Sequence, residues 1–414
     1  MSACRARARR AGVLLTGLAL SGVVLSEPVA AAPPPPDPGC PALWVLAVQG
    51  TGQSSPNASR TDDVGMLGAL LGPVVAVAPN LVQRSYIPYE AGFGGAPGAG
   101  GGPQPYVRSV TDVIADLDAE AQRVVDQCPN AELALVGYSQ GAQAVSQVAR
   151  AIGEGSGPVP AEKIAAVALY ANPERTPGSP PLAGRPGQLT PDPAPGTSGA
   201  AVSTVQVGDA RSASGSGIAD DGAEYGALTG RVLDICADGD LACSAPEHAD
   251  LLRVAARIAA QADLSNPVAA AGSLGQLLSG ALGSAWTTVV SDDIAVGPDS
   301  VDYRPRESLS QRVIDAADPR VPGPDPDRVR QAAGRWAEIT ATLATHPGEV
   351  VKLAGQLAGA VGQLAADNSD LLNPAVWARL AGTVAAHDGY AATGALASGA
   401  AWLVAVAHDL AGGK

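Results

Sequence analysis

Apolar positions fall into distinct textures along the chain. Leu43 to Val48 (LWVLAV), Leu133 to Val136 (LALV) and Ile164 to Tyr170 (IAAVALY) are continuous apolar runs. A run without polar alternation suits a strand covered on both faces, as in a parallel sheet. Val110 to Asp126 sets Val113, Leu117, Ala121, Val124 and Val125 on one helical face, and Ala142 to Ile152 forms a further helical stretch. This alternation predicts a doubly wound α/β domain with a parallel sheet. Two stretches interrupt it: Pro88 to Tyr106 is dominated by Gly and Pro, and Pro177 to Asp221 is rich in Pro, Gly, Ser and Asp. Both predict long surface loops, which at such length are lids, rims or disordered segments. From Pro246 onward the texture becomes Ala-rich helix, over 250–262, 324–343, 349–366 and 374–386. Asp, Arg and Glu recur along these stripes, so they predict packing faces of a helical insertion or cap rather than a membrane device.

The N-terminus bears on where such a domain works. Arg5, Arg7, Arg9 and Arg10 precede an apolar run from Ala11 to Leu25, and Val29-Ala30-Ala31 offers small residues for cleavage. Residues 1–31 therefore read as a secretory signal peptide. The apolar run is short for a bilayer and Pro33 to Pro36 follows at once, so no transmembrane segment is expected in the mature chain. Cys4 leaves with the leader, and Cys40, Cys128, Cys236 and Cys243 remain. An even number in an exported protein predicts two disulfides, with three connectivities open. No paired CxxC units or nearby His spacing point to a metal, and no cofactor is expected. Loss of four Arg and one Glu with the leader takes the formal net charge from −14 to −17. An acidic surface repels phosphate backbones, which argues against nucleic acid as a partner.

Gly137-Tyr138-Ser139-Gln140-Gly141 matches G-x-S-x-G, in which a serine sits on a tight strand-to-helix turn that flanking glycines permit. With 50 glycines in the chain the pentapeptide alone is a weak signal. Here it follows the run Leu133 to Val136 and opens the helical stretch from Ala142, the setting a nucleophile requires. A helix N-terminus behind Ser139 adds positive potential where an oxyanion develops. A serine hydroxyl needs a histidine base, and the base needs a carboxylate to hold its tautomer. The histidines are His248, His346, His387 and His408. His248 sits in the apparent first turn of a helix, whereas His387 precedes Asp388-Gly389, a turn signal that lets it leave a helix end. His346, before Pro347, and His408, on a terminal Ala-rich helix, read as structural.

Gln127-Cys128-Pro129-Asn130-Ala131 before LALVGYSQGAQ resembles the Cys-Pro segment and nucleophile elbow of the cutinase family. Cys236-Ala237-Asp238-Gly239-Asp240-Leu241-Ala242-Cys243 resembles that family's segment carrying the triad acid between two bonded cysteines. Val48-Gln49-Gly50-Thr51-Gly52-Gln53, followed by Leu71-Gly72-Pro73, is similar to its oxyanion-hole loop, and His387-Asp388-Gly389-Tyr390 to its His-x-x-Tyr signature. The first three segments span residues 40–245 and point to the longer actinobacterial cutinase-like and PE-PPE-domain serine hydrolases. The resemblance implies an α/β-hydrolase fold and the pairings Cys40 with Cys128 and Cys236 with Cys243. It also implies Asp240 as the acid, with Asp238 as fallback, and an oxyanion hole from the N–H of Gln140 and from Thr51. His387 is favoured as base, with His248 the alternative. That choice requires a long insertion between acid and base, tolerable if the insertion folds on its own.

The expected organisation is a signal peptide (1–31), a cutinase-like α/β core (32–245), an Ala-rich helical insertion or cap (246–386), and a returning core segment with the candidate base (387–414). The expected function is hydrolysis of carboxylic esters through an acyl-enzyme by a secreted protein, extracellular or in the cell envelope. The resemblance implies lipid or polyester-like acyl esters, with the envelope as a candidate partner. Transfer of the same acyl group to a sugar hydroxyl is the alternative within enzymes. A non-catalytic, envelope-associated binding protein on a decayed scaffold is the alternative outside them.

Overall fold

The structure is a computed structural model that describes residues 39–207, 213–220, 222 and 224–412, so the leader read over 1–31 lies outside the described residues. The chain divides into Met1–Pro35 and Pro36–Lys414, and every element below belongs to the second unit.

The three apolar runs form strands β1 (Leu43–Val48), β3 (Glu132–Tyr138) and β4 (Ile164–Tyr170), joined by β2 (Val82–Tyr86) and β5 (Val232–Ile235). They pair in the order β2-β1-β3-β4-β5, with every pairing parallel. Four helices cover the sheet: α1 (Gly65–Val77), α2 (Tyr106–Gln127), α3 (Gln140–Gly153) and, at the far end of the sequence, a C-terminal helix over Ala397–Gly412. The strands' continuous hydrophobicity follows from burial on both sides. Leu43, Val45 and Ala47 join one core with Leu67, Leu70 and Leu71 of α1 and with Trp402, Leu403 and Val406 of the C-terminal helix. Their alternates Trp44, Leu46 and Val48 join the opposite core with Val113 and Leu117 of α2 and Val145 and Val148 of α3. Truncation of the fully buried Trp402 to Ala would cost about 3–5 kcal/mol. This is a doubly wound α/β layer arrangement, as the strand and helix alternation predicts.

The two edge strands are those the hydrophobic pattern did not announce. In β2 the sequence VQRSY exposes Gln83 while Val82, Ser85 and Tyr86 are buried, and in β5 the apolar run is broken by the buried Asp234. Leu71-Gly72-Pro73, grouped by resemblance with the oxyanion loop, lies inside α1. Helix α2 begins at Tyr106, directly after Pro105 and four residues before the expected start.

Between β5 and the C-terminal helix the chain forms α4 (Asp250–Gln261), α5 (Pro267–Thr288), β6 (Ile294–Val296), β7 (Val301–Tyr303), α6 (Leu309–Ala317), α7 (Pro326–Thr345), α8 (Pro347–Ala366), α9 (Pro374–Leu380) and α10 (Thr383–Asp388). The C-terminal helix is accordingly α11. Asn266 and Asp325 each accept backbone N–H bonds at the start of α5 and α7, with Pro at the first helical position, the arrangement that nucleates a helix at a fixed residue. Small cores of this segment's own hold it together, one around Val290, Tyr303 and Ile339, another around Val254, Ile258 and Ile314. No described helix is long and apolar enough to cross a membrane.

Candidate active site

In a sheet of this order the chain leaves β1 and β3 in opposite directions, which opens a crevice at their carboxyl ends. Thr51 follows β1 and Ser139 follows β3, so both stand at that switch point. Ser139 occupies the turn into α3 with φ 55° and ψ −121°, a conformation that costs about 1–3 kcal/mol for a non-glycine residue. Its N–H is held by the carbonyl of Tyr170 at 2.9 Å. The flanking glycines are steric necessities. A Cβ at Gly141 would lie 2.0 Å from the Val48 carbonyl oxygen, and one at Gly137 2.5 Å from Ala142 Cα.

His387 lies in the last turn of α10 and carries the contact between distant segments. Its Nε2 is 2.8 Å from Ser139 Oγ and its Nδ1 is 2.9 Å from Asp240 Oδ1. The ring packs beside Tyr138 at a centroid distance of 5.3 Å, and the Tyr138 hydroxyl donates to the His387 carbonyl at 2.7 Å. Burial raises the Tyr138 phenol well above its ordinary pKa, so it stays a neutral donor.

Asp240 is fully buried. Besides His387 it accepts from the Ala242 N–H at 3.0 Å on Oδ1 and from the Tyr390 hydroxyl at 2.8 Å on Oδ2. The Tyr390 hydroxyl in turn accepts from the Ala237 N–H at 2.9 Å, so one tyrosine braces both the Asp240 carboxylate and its loop. Burial foremost, with the nearby Asp240 charge, pushes the Tyr390 phenol well up. The loop is closed by the Cys236–Cys243 disulfide, and Cys40–Cys128 ties the chain before β1 to the segment entering β3.

On the other side of the crevice, the Thr51 hydroxyl donates to Gln140 Oε1 at 3.2 Å, and Gln140 Nε2 donates to the Gly92 carbonyl at 3.0 Å. The Gln140 side chain thus binds the 88–105 loop to the elbow. α3 starts directly after Ser139, and the backbone N–H groups at a helix start lack intrahelical acceptors.

The remaining expected residues lie elsewhere. His248 is exposed, with its backbone N–H on Asp370 Oδ2 at 3.0 Å. Asp238 is 64% exposed and faces Arg379 at 3.5 Å. His346 joins α7 to α8 beside Asp299, and His408 is exposed on α11. Tyr390 entered the sequence reading only as part of a motif; its bond to Asp240 was invisible there because the partners are 150 residues apart.

The crevice continues into a groove of 560 Å³ that reaches Ser139, His387 and Asp240 and is walled by Val107, Val110, Leu241, Ala256, Ala260 and Val384. Its wall is mostly apolar, and the 246–386 segment supplies part of it.

A sequence model of the family described as cutinase matches residues 85–251. A carboxylesterase Culp6 homolog from Corynebacterium glutamicum is 30% identical over 229 residues, which cover 51% of this chain and 69% of that protein. Among solved structures, lysin B from mycobacteriophage D29 matches with 20% identity and a TM-score of 0.35, over 70% of this chain and 98% of that one. The catalytic core of an acetyl xylan esterase from Trichoderma reesei matches with 19% identity and a TM-score of 0.32, over 57% and 98%. With its parallel α/β sheet and its serine elbow, the chain belongs to the cutinase family of serine carboxylic ester hydrolases.

Proposed function

We propose that the protein is an exported esterase of acyl or lipid esters in which Ser139, His387 and Asp240 act as nucleophile, base and acid. His387 Nδ1–H donates to Asp240, which leaves Nε2 to accept the Ser139 proton as Oγ attacks the ester carbonyl. The resulting oxyanion takes hydrogen bonds from the backbone N–H of Gln140 and of Thr51. Collapse expels the alcohol, protonated by His387, and leaves an acyl-serine. A water molecule, deprotonated by His387, then releases the acid and restores Ser139. The observation that carries this reading is the bridge made by His387, 2.8 Å to Ser139 and 2.9 Å to Asp240, between segments far apart in sequence.

The apolar wall of the groove supports an acyl chain as the group bound beside Ser139. The basic and apolar leader in the sequence and the two disulfides support export. The 246–386 segment is proposed as a cap over the acyl path, because Ala256, Ala260 and Val384 belong to it.

A fluorophosphonate probe tests the assignment. The oxidised protein should gain one adduct on the peptide containing Ser139, and Ser139→Ala should gain none. An adduct on another residue, or an unreactive parent, would sink the reading.

A further inference from the structure

The groove beside Ser139 follows α3, where Gln143 and Gln147 line it one and two turns beyond the nucleophile. Farther along, its wall becomes ionic. Arg320, from the linker between α6 and α7, sets Nη1 3.1 Å from Glu174 Oε1. The same oxygen accepts from Gln143 Nε2 at 3.0 Å and from Gln147 Nε2 at 2.6 Å. Glu174 is fully buried and also pairs with Arg150 at 3.0 Å. Arg320 is tied to Asp318 at 2.8 Å, and Asp318 pairs with Arg257 of α4 at 3.1 Å. A strap of the helical segment is thereby latched to the α/β core through one buried carboxylate. On its other side lies a second cavity of 940 Å³, bordered by α5 and α6, and Asp318 and Pro319 line both cavities.

We infer that the Asp318–Arg320 strap is a partition that limits the length of acyl chain accepted beside Ser139, with Arg320 as its specificity-determining residue. The inference rests on the esterase reading above and adds the place where the acyl groove is closed. Glu174 is held by both Gln143 and Gln147, and from Ser139 α3 rises about 6 Å to the first and about 12 Å to the second at 1.5 Å per residue. A methylene chain advances about 1.25 Å per carbon, the projection of a 1.52 Å C–C bond at a 111° angle. About five to ten carbons therefore reach the latch. A longer chain must part Arg320 from the buried Glu174 carboxylate and leave it with Arg150 as its cation. Each buried methylene raises kcat/KM roughly fourfold, a gain that ends at the latch.

The test uses the full-length oxidised protein and a series of p-nitrophenyl esters with acyl chains from four to sixteen carbons. In the parent, kcat/KM should peak between about six and ten carbons and fall by at least about tenfold at fourteen, where the chain parts Arg320 from Glu174. Arg320→Ala keeps Arg150, Gln143 and Gln147 on Glu174 and removes the side chain that ties the strap across the groove. The ratio of fourteen-carbon to eight-carbon kcat/KM should then rise by at least about tenfold. Ala260→Phe fills the groove and should move the optimum to shorter chains. A parent that cleaves fourteen-carbon and eight-carbon esters equally well overturns the inference alone. So does a folded Arg320→Ala protein with the parent's ratio, or, should that variant fail to fold, an Ala260→Phe protein with the parent's optimum. A parent inert toward every ester overturns the esterase reading, and this inference with it.

Discussion

The two disulfides should separate stability from activity when each is removed alone. Cys40–Cys128 joins residues 88 apart and Cys236–Cys243 joins residues 7 apart. The loop-entropy relation gives about 4.6 kcal/mol at 25 °C for the first closure and about 2.4 kcal/mol for the second. The long closure anchors the start of β1 and touches none of the groups around Ser139. The short one encloses Asp240, whose loop is otherwise held by Tyr390 and by the Leu241 N–H on Thr383 Oγ1 at 2.7 Å. The double variant Cys40→Ser/Cys128→Ser should therefore unfold in urea with a free energy about 4–5 kcal/mol lower and an unaltered kcat under native conditions. Cys236→Ser/Cys243→Ser should lose about 2 kcal/mol of stability, yet its kcat should drop about ten- to a hundredfold as the Asp240 loop loosens. Urea melts and kcat on one short-chain ester measure both. Equal stability losses, or a Cys236→Ser/Cys243→Ser enzyme of full kcat, would refute the reasoning.

Tyr390→Phe removes a donor to a buried carboxylate, a bond worth about 1.5–3 kcal/mol, so kcat should fall about tenfold while KM stays the same. A kcat within twofold of the parent would mean that Asp240 needs no brace on Oδ2. Asp234, 4% exposed, has its carboxyl pushed up to about 6 by burial, against the opposing pull of Asn172, Arg175 and Arg150. A raised native pKa contributes stability that is fully present below the unfolded value, near 4, and is lost as pH rises through about 6. Relative to Asp234→Asn, the parent should become less stable between pH 4 and pH 7 by up to about 3 kcal/mol, read as a growing difference in Tm. A difference independent of pH would show that Asp234 does not titrate there.

The sequence made legible what depends on local pattern. Continuous apolar runs marked β1, β3 and β4 because burial on both faces removes the polar alternate, and the Ala-rich texture over 324–343 marked α7, whose start at Pro326 is set by the Asp325 cap. β2 and β5 escaped because edge strands carry polar residues, and α1 because its Gly and Pro mask a helix that tertiary contacts hold. The elbow at Ser139 was visible for the same local reason: two glycines, a strand before and a helix after. His387 was reached by a motif and a turn signal, while His248 had the shorter spacing to Asp240. What spacing could not convey is that α10 returns to the crevice and that His248 lies in an exposed turn ahead of α4. The Glu174–Arg320 latch left no trace in sequence, since an ion pair across 146 residues has no periodicity.

The proposed mechanism stands or falls on His387, delivered from α10, as the base for Ser139. The most direct measurement compares kcat/KM of His387→Ala and His248→Ala on one short-chain ester, with folding of each verified by circular dichroism. His387→Ala should fall by at least about a thousandfold, the scale of losing a triad member, and His248→Ala should match the parent. Activity retained by His387→Ala and lost by His248→Ala would contradict the account.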